Sequence, residues 1–120
     1  MQVETMLSDQ IARFLDLATA EAKLTAANMA NIDTPGYRTV GMDFEAEMRE
    51  AMSDVAGNRE PKRVRVTDVD GLISRPDGNN VSMDRESLNL AEAQLRFKTG
   101  VALLRGEYQR VMDAIHADGK

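Results

Sequence analysis

The stretch Ala27-Asn28-Met29-Ala30-Asn31-Ile32-Asp33-Thr34-Pro35-Gly36-Tyr37 ends a helical pattern and turns the chain sharply. Pro35 disfavours helical backbone at Thr34, so the helix stops at or before that residue. Pro35-Gly36 suits the centre of a type II turn, because Pro presets φ and Gly accepts the positive φ that follows. Asn28 and Asn31 are three apart, so both amides leave the helix on one side. Amides there can satisfy open helix-end carbonyls or bond a neighbouring chain. On chemistry alone, a capped helix end accounts for all of this.

Upstream, Leu7, Ile11, Phe14 or Leu15, Ala18, Ala22, Thr25, Met29 and Ile32 step by three and four, which predicts a helix from about Leu7 to Ile32. Ala and Thr thin this stripe toward its end, so the helix needs a partner surface. Downstream, Tyr37 to Val40 reads as extended. Asp43 is an N-cap for a short helix from Phe44 to about Val55, closed by Gly57-Asn58. Asn58 to Asn80 is loop-rich. Val64 and Val66 alternate with polar residues, and Asp70-Gly71 is a turn signal before Leu72-Ile73, so at most a small β-hairpin is expected there. Pro76 to Asn79 is a second turn.

Ser82 or Asp84 then caps a long helix. Leu90, Gln94, Phe97, Val101, Leu104, Tyr108, Val111 and Ile115 alternate by four and three, which is the seam of a left-handed coiled coil. From Asp84 to Ala117 that helix runs on the order of 50 Å. Its seam must pair with the N-terminal helix, with another chain, or with both. Gln94 is the polar seam residue that fixes register. Gly100 and Gly106 lie off the seam, either as sites of close helix approach or as tolerated weak points. The fold class is therefore mainly α. Long terminal helices (1–34 and 83–120) pair as an elongated coiled-coil-like hairpin, and the middle (35–82) holds the turn, a short helix and the loops.

Composition narrows the function. The chain has 120 residues, a formal net charge of -5, eight Met, no Trp and no Cys. The acidic balance argues against a dedicated nucleic-acid binder. Without Cys there is no disulfide and no thiolate metal site. Met1 to Asp9 has no basic n-region and the longest apolar run is Val101-Ala102-Leu103-Leu104, so neither a cleaved Sec-type signal nor a membrane span is expected. His116 is the single His, and no P-loop, G-x-G-x-x-G or nucleophile elbow exists. Nothing nominates a catalytic carboxylate pair, so no enzyme and no cofactor are expected.

Two local patterns mislead. Asp68 to Ile73 resembles part of a calcium loop, but alignment on Gly71 puts Val66 at the first ligand position and the short Asp77 at the last. Arg59, Lys62, Arg63 and Arg65 form a basic group without an aromatic platform, read as a solvated face or as an interface with an acidic neighbour.

Taken whole, the eleven residues from Ala27 to Tyr37 resemble the A-N-x-A-N-x-x-T-P-G-Y signature of bacterial flagellar axial proteins, the rod and hook group, and every fixed position is met. Asp43-Phe44, and the run from Asp77 through Met83-Asp84 to Glu86, are similar to features of proximal-rod proteins of the FlgB type. The resemblance covers nearly the whole chain and is weakest from Ser53 to Pro76. It implies a structural rod subunit of the flagellar basal body, exported without a cleaved signal by the type III apparatus and assembled in the periplasm. It implies that other rod proteins, a rod–ring junction protein of the FliE type, and the membrane ring or export gate are partners. It also gives Asn28, Asn31 and Tyr37 the expected task of fixing the turn and touching a neighbour. Two other readings stay open on the residues alone: a different axial subunit, and a cytoplasmic coiled-coil adaptor or chaperone.

Overall fold

A computed structural model describes residues 6–53 and 62–118. The elements in chain order are α1 (Met6–Ala30), β1 (Val40–Gly41), α2 (Phe44–Ser53), β2 (Thr67–Asp68) and α3 (Met83–Asp118). The end of the short helix near Val55, its closure at Gly57-Asn58, and Arg59 lie outside the described residues. The molecule is a rod-like helical hairpin of 71 × 27 × 18 Å.

Local chemistry sets the boundaries. The last turn of α1 tightens: the Asn31 N–H donates to both the Ala27 and Asn28 carbonyls, and the Ile32 N–H to that of Met29. Gly36 follows at a φ of 76° and the Tyr37 N–H closes back on the Thr34 carbonyl at 3.2 Å, as a type II turn requires. Asp43 caps α2, its Oδ1 accepting the Ala46 N–H at 3.0 Å. For α3 the cap is Ser82, whose Oγ accepts the Arg85 N–H at 3.3 Å. Asp84 sits in the first turn, where its charge suits the helix dipole.

The core lies where α2 meets the hairpin. Leu17, Ala18 and Phe44 are buried there, flanked by Phe14, Met42, Met48 and Val64. Phe14 and Phe44 meet edge to face at 5.3 Å. The other face of Phe44 carries the Arg96 guanidinium, 4.2 Å from the ring centroid, and Arg96 is held by Glu21 at 2.8 Å. This stack ties the start of α2 to α1 and, through the Arg96 side chain, to α3.

The small sheet differs from a hairpin about Asp70-Gly71. Gly71 does turn the chain, at a φ of 80°. Yet β2 pairs antiparallel with β1, Val40 opposite Asp68 and Gly41 opposite Thr67, and not with Leu72-Ile73. A close approach favours this partner. The Val69 side chain lies 3.0 Å from where a Cβ would stand on Gly41, a gap that only glycine leaves open.

The α1–α3 contact also has an unexpected phase. The buried positions on the long helix are Glu86, Ala93, Gly100 and Glu107, spaced by seven. Gly100 is a true close approach, since a Cβ there would fall 2.6 Å from Leu15 Cδ2. Gly106 has open space around it and is the tolerated weak point. Of the eight seam residues read from the sequence, Leu90, Val101, Leu104 and Val111 are half-buried, while Gln94, Phe97, Tyr108 and Ile115 are exposed. The 3.5-residue stripe is present, but α1 lies along one border of it.

Candidate assembly motif: a polar clasp

Asn28 sits two residues before the end of α1 and is 1% exposed. Its Nδ2 donates to the Val40 carbonyl at 2.8 Å and to Glu86 Oε2 at 3.0 Å. Its Oδ1 accepts the Tyr37 hydroxyl at 3.0 Å and the Val40 N–H at 3.1 Å. Both donors and both lone-pair directions are thus used within the chain. Within the chain, all four of these hydrogen-bonding positions of Asn28 are taken up by Tyr37, Val40 and Glu86. Glu86 is fully buried at the start of α3 and is neutralised by Arg85 at 2.7 Å. Burial, and behind it the Glu86 charge, push the Tyr37 phenol above its usual value, so Tyr37 stays a donor.

The exit turn itself is held by the second turn of the middle segment. Arg75 to Asn79 closes through Arg75 N–H to Asn79 carbonyl at 2.8 Å and Gly78 N–H to Arg75 carbonyl at 2.9 Å, with Gly78 at a φ of 87°. This is a type I turn followed by a left-handed Gly. Asn79, at 0% exposure, points its Nδ2 at the carbonyls of Asn31, Ile32 and Thr34, at 2.9, 3.0 and 2.9 Å. These carbonyls belong to the exit turn just past α1, where those of Asn31 and Thr34 also accept the Thr34 and Tyr37 N–H groups. Its Oδ1 takes the Val81 N–H at 2.9 Å. Asn80 Oδ1 takes the Thr39 N–H at 2.7 Å, Arg75 Nη2 reaches the Ile32 carbonyl, and the Gly36 N–H donates to Asp77 carbonyl at 2.9 Å. A Cβ on Gly78 would stand 3.4 Å from Gly36 Cα, so the two turns stack backbone on backbone.

The remaining residues singled out in the sequence join this assembly or flank it. Asn31 is half-buried, donates back to the Ala27 carbonyl at 2.8 Å and accepts the Thr34 hydroxyl at 3.0 Å. Pro35 and Gly36 are exposed at the tip. Asp43 and Phe44 anchor α2 as cap and core residue, whereas Met83 and Asp84 are exposed on the first turn of α3. Sequence reasoning missed Asn79, Asn80 and Glu86 as hydrogen-bonding partners of Asn28 and its turn. Their signal was the run from Asp77 to Glu86, read as a turn and as a feature of the proximal-rod resemblance but given no partner in the chain.

A cleft of about 400 Å³ opens beside the clasp, between β1, α2 and the start of α3. Its charges are largely spent inside the chain, Glu21 on Arg96 and Glu86 on Arg85. Burial raises the Glu21 carboxyl above its usual range, against the pull of Arg96. Of the basic group, Lys62 and Arg65 pair with Glu50 and Glu47 of α2. Their acidic neighbour is thus the chain's own short helix. Among the described residues no cluster of His, Asp and Glu is placed to hold a metal ion, and no helix is long and apolar enough to cross a membrane.

The chain is 31% identical to the flagellar basal body rod protein FlgB of Salmonella typhimurium, over 84% of this chain and 86% of that one. The chain belongs to the FlgB family of flagellar basal body rod proteins. The FlgB of Yersinia ruckeri is 28% identical over 84% of this chain and 87% of its own length. That of Borrelia hermsii is 29% identical over 79% and 84%. No protein-family model matches the chain. In this chain the exit turn after α1 and the run from Asp77 to Glu86 form the two halves of one clasp.

Proposed function

We propose that this chain is a structural subunit of the proximal rod. It assembles with copies of itself and with other rod proteins into the shaft that transmits motor torque in flagellum-dependent motility. The observation that supports this best is the unspent surface of α3. The clasp spends the side-chain amides of Asn28 and Asn79 within the chain, yet Phe97, Tyr108 and Ile115 stay 46%, 50% and 41% exposed along one stripe. Apolar surface arranged like this gains from burial against another subunit. Contacts between unlike faces build open helical assemblies, the geometry of a shaft.

On the same reading the chain is a building element and not a catalyst. It passes through the flagellar type III apparatus without a cleaved signal and joins the rod in the periplasm. It meets a rod–ring junction protein of the FliE type and the membrane ring or export gate at the rod base. The test is genetic. Deleting the gene in its host abolishes rods and swimming, and supplying the chain restores both. Normal rods and swimming in the deletion strain contradict the proposal.

A further inference from the structure

The exposed stripe on α3 has a charged border. Lys98 and Arg105 are exposed just outside Phe97, Val101 and Tyr108, and they are spaced by seven residues. On the outer face of α1, directly away from the core, Asp9 and Asp16 are also exposed and also spaced by seven, with the short side chains of Ala12 and Thr19 beside them. None of these four charges makes an ion pair among the described residues.

The register of the hairpin makes the two spacings meaningful. Within one chain α1 and α3 run antiparallel, with Leu15 against Gly100 and Glu21 against Arg96. Asp16 therefore stands level with Lys98, and Asp9 with Arg105, to within about one to three residues, roughly 1.5–4.5 Å, a gap that long Lys and Arg side chains span. A second copy laid alongside with no axial offset presents its α1 antiparallel to the first copy's α3. Lys98 then faces the second copy's Asp16, and Arg105 faces its Asp9. Phe97, Val101 and Tyr108 settle against the short side chains between the aspartates.

We propose that the occupant of the α3 stripe is the outer face of α1 of a second copy, held in register by Lys98–Asp16 and Arg105–Asp9. This rests on the rod-subunit reading and specifies its side-by-side contact. The two faces differ, so each copy offers one of each and the contact propagates. Apolar burial supplies the attraction, and the two charge pairs select partner and register. Exposed pairs of this kind contribute little energy by themselves.

The chain has no Cys, which permits a clean cross-linking test. Cells of the host carry the chain as the double variant Asp16→Cys/Lys98→Cys, or as either single variant, and are treated with a short bismaleimide before basal bodies are isolated. The expected result is a ladder of cross-linked multimers from the double variant and none from either single variant. A single variant that cross-links to itself overturns the proposal, because the contact would then join like faces. So does a double variant that is present in basal bodies without a ladder. A chain absent from basal bodies altogether overturns the rod reading, and this contact with it. In parallel, Lys98→Glu/Arg105→Glu is expected to lower incorporation into basal bodies about tenfold by setting like charges opposite each other. Adding Asp9→Lys/Asp16→Lys restores incorporation. A variant that only misfolds is not rescued by changes on the opposite face, so failure of rescue also overturns the proposal.

Discussion

Asn79→Ala probes the clasp most directly, because this fully buried side chain has both its amide and its oxygen hydrogen-bonded within the clasp. Its amide serves three carbonyls of the exit turn that follows α1 and its oxygen serves the Val81 N–H. The two amide hydrogens contribute about 1 kcal/mol each. Val81 is buried, at 6% exposure, so its N–H loses its partner without gaining water, at a cost of roughly 1–3 kcal/mol. The total is about 3–5 kcal/mol, a large part of the roughly 5–15 kcal/mol of a typical domain. Urea unfolding of the purified chain reads this as a midpoint lowered by on the order of 2 M, since m is about 1–3 kcal/mol/M. Amide exchange locates it, with Asn31 to Thr39 accelerated while the middle of α1 keeps its protection. Asn79→Asp adds a sharper arm. Its carboxylate keeps the bond from Val81 but faces three carbonyl oxygens, so ionisation is disfavoured in the folded state and its pKa rises there. The variant therefore recovers relative to wild type as pH falls through that raised pKa, when the carboxyl can again donate. An Asn79→Ala protein within about 1 kcal/mol of wild type, well below the cost of these bonds, would falsify the role of Asn79 in holding the exit turn.

Three further expectations follow from single positions. Gly100→Ala lowers the unfolding midpoint, because crowding against Leu15 and Phe14 costs about 1–3 kcal/mol and outweighs the gain in helix propensity. Gly106→Ala, in open space, raises stability by about 1 kcal/mol; the same sign at both positions would refute this reading of the two glycines. Thr39→Val stabilises the chain by about 1 kcal/mol, because the buried Thr39 hydroxyl has no hydrogen-bond partner among the described residues. A loss of stability in the same urea assay would show that the hydroxyl is bonded. Glu21 has a folded pKa raised above 4.5, chiefly by burial, so its ionisation opposes folding. Wild type should gain stability over Glu21→Gln as pH falls from neutral through that raised pKa, and the gain should level off below 4.5. A difference that does not change with pH would contradict the direction of the shift.

What the sequence revealed was mostly local. The type II turn at Pro35-Gly36 and the Asp43 cap depend on residues within a few positions of one another, and both stand where the residue types put them. The clasp was hidden because Asn79 reaches carbonyls 45 to 48 residues away in the chain. No periodicity marks such a bond. The seam of α3 was legible in period but not in phase. Counting apolar side chains selects Phe97 and Tyr108, whereas α1 approaches where Ala93 and Gly100 let it come close and where Glu86 finds partners. Hydrophobic patterning gives weight to large residues, and a tight helix pair is decided by small ones. At Asp70-Gly71 the turn was correctly read and its strand partner was not, because Val40–Gly41 competes from outside the local window.

The central claim is that this chain is a rod subunit of the flagellar basal body. The most direct measurement is the isolation of basal bodies from the host bacterium, in wild type and in a strain lacking flagellar export, with quantification of this chain in each. Co-purification with the rod in wild type, and loss from the envelope fraction without export, is the expected result. Retention of the chain in the cytosol of both strains would contradict the claim.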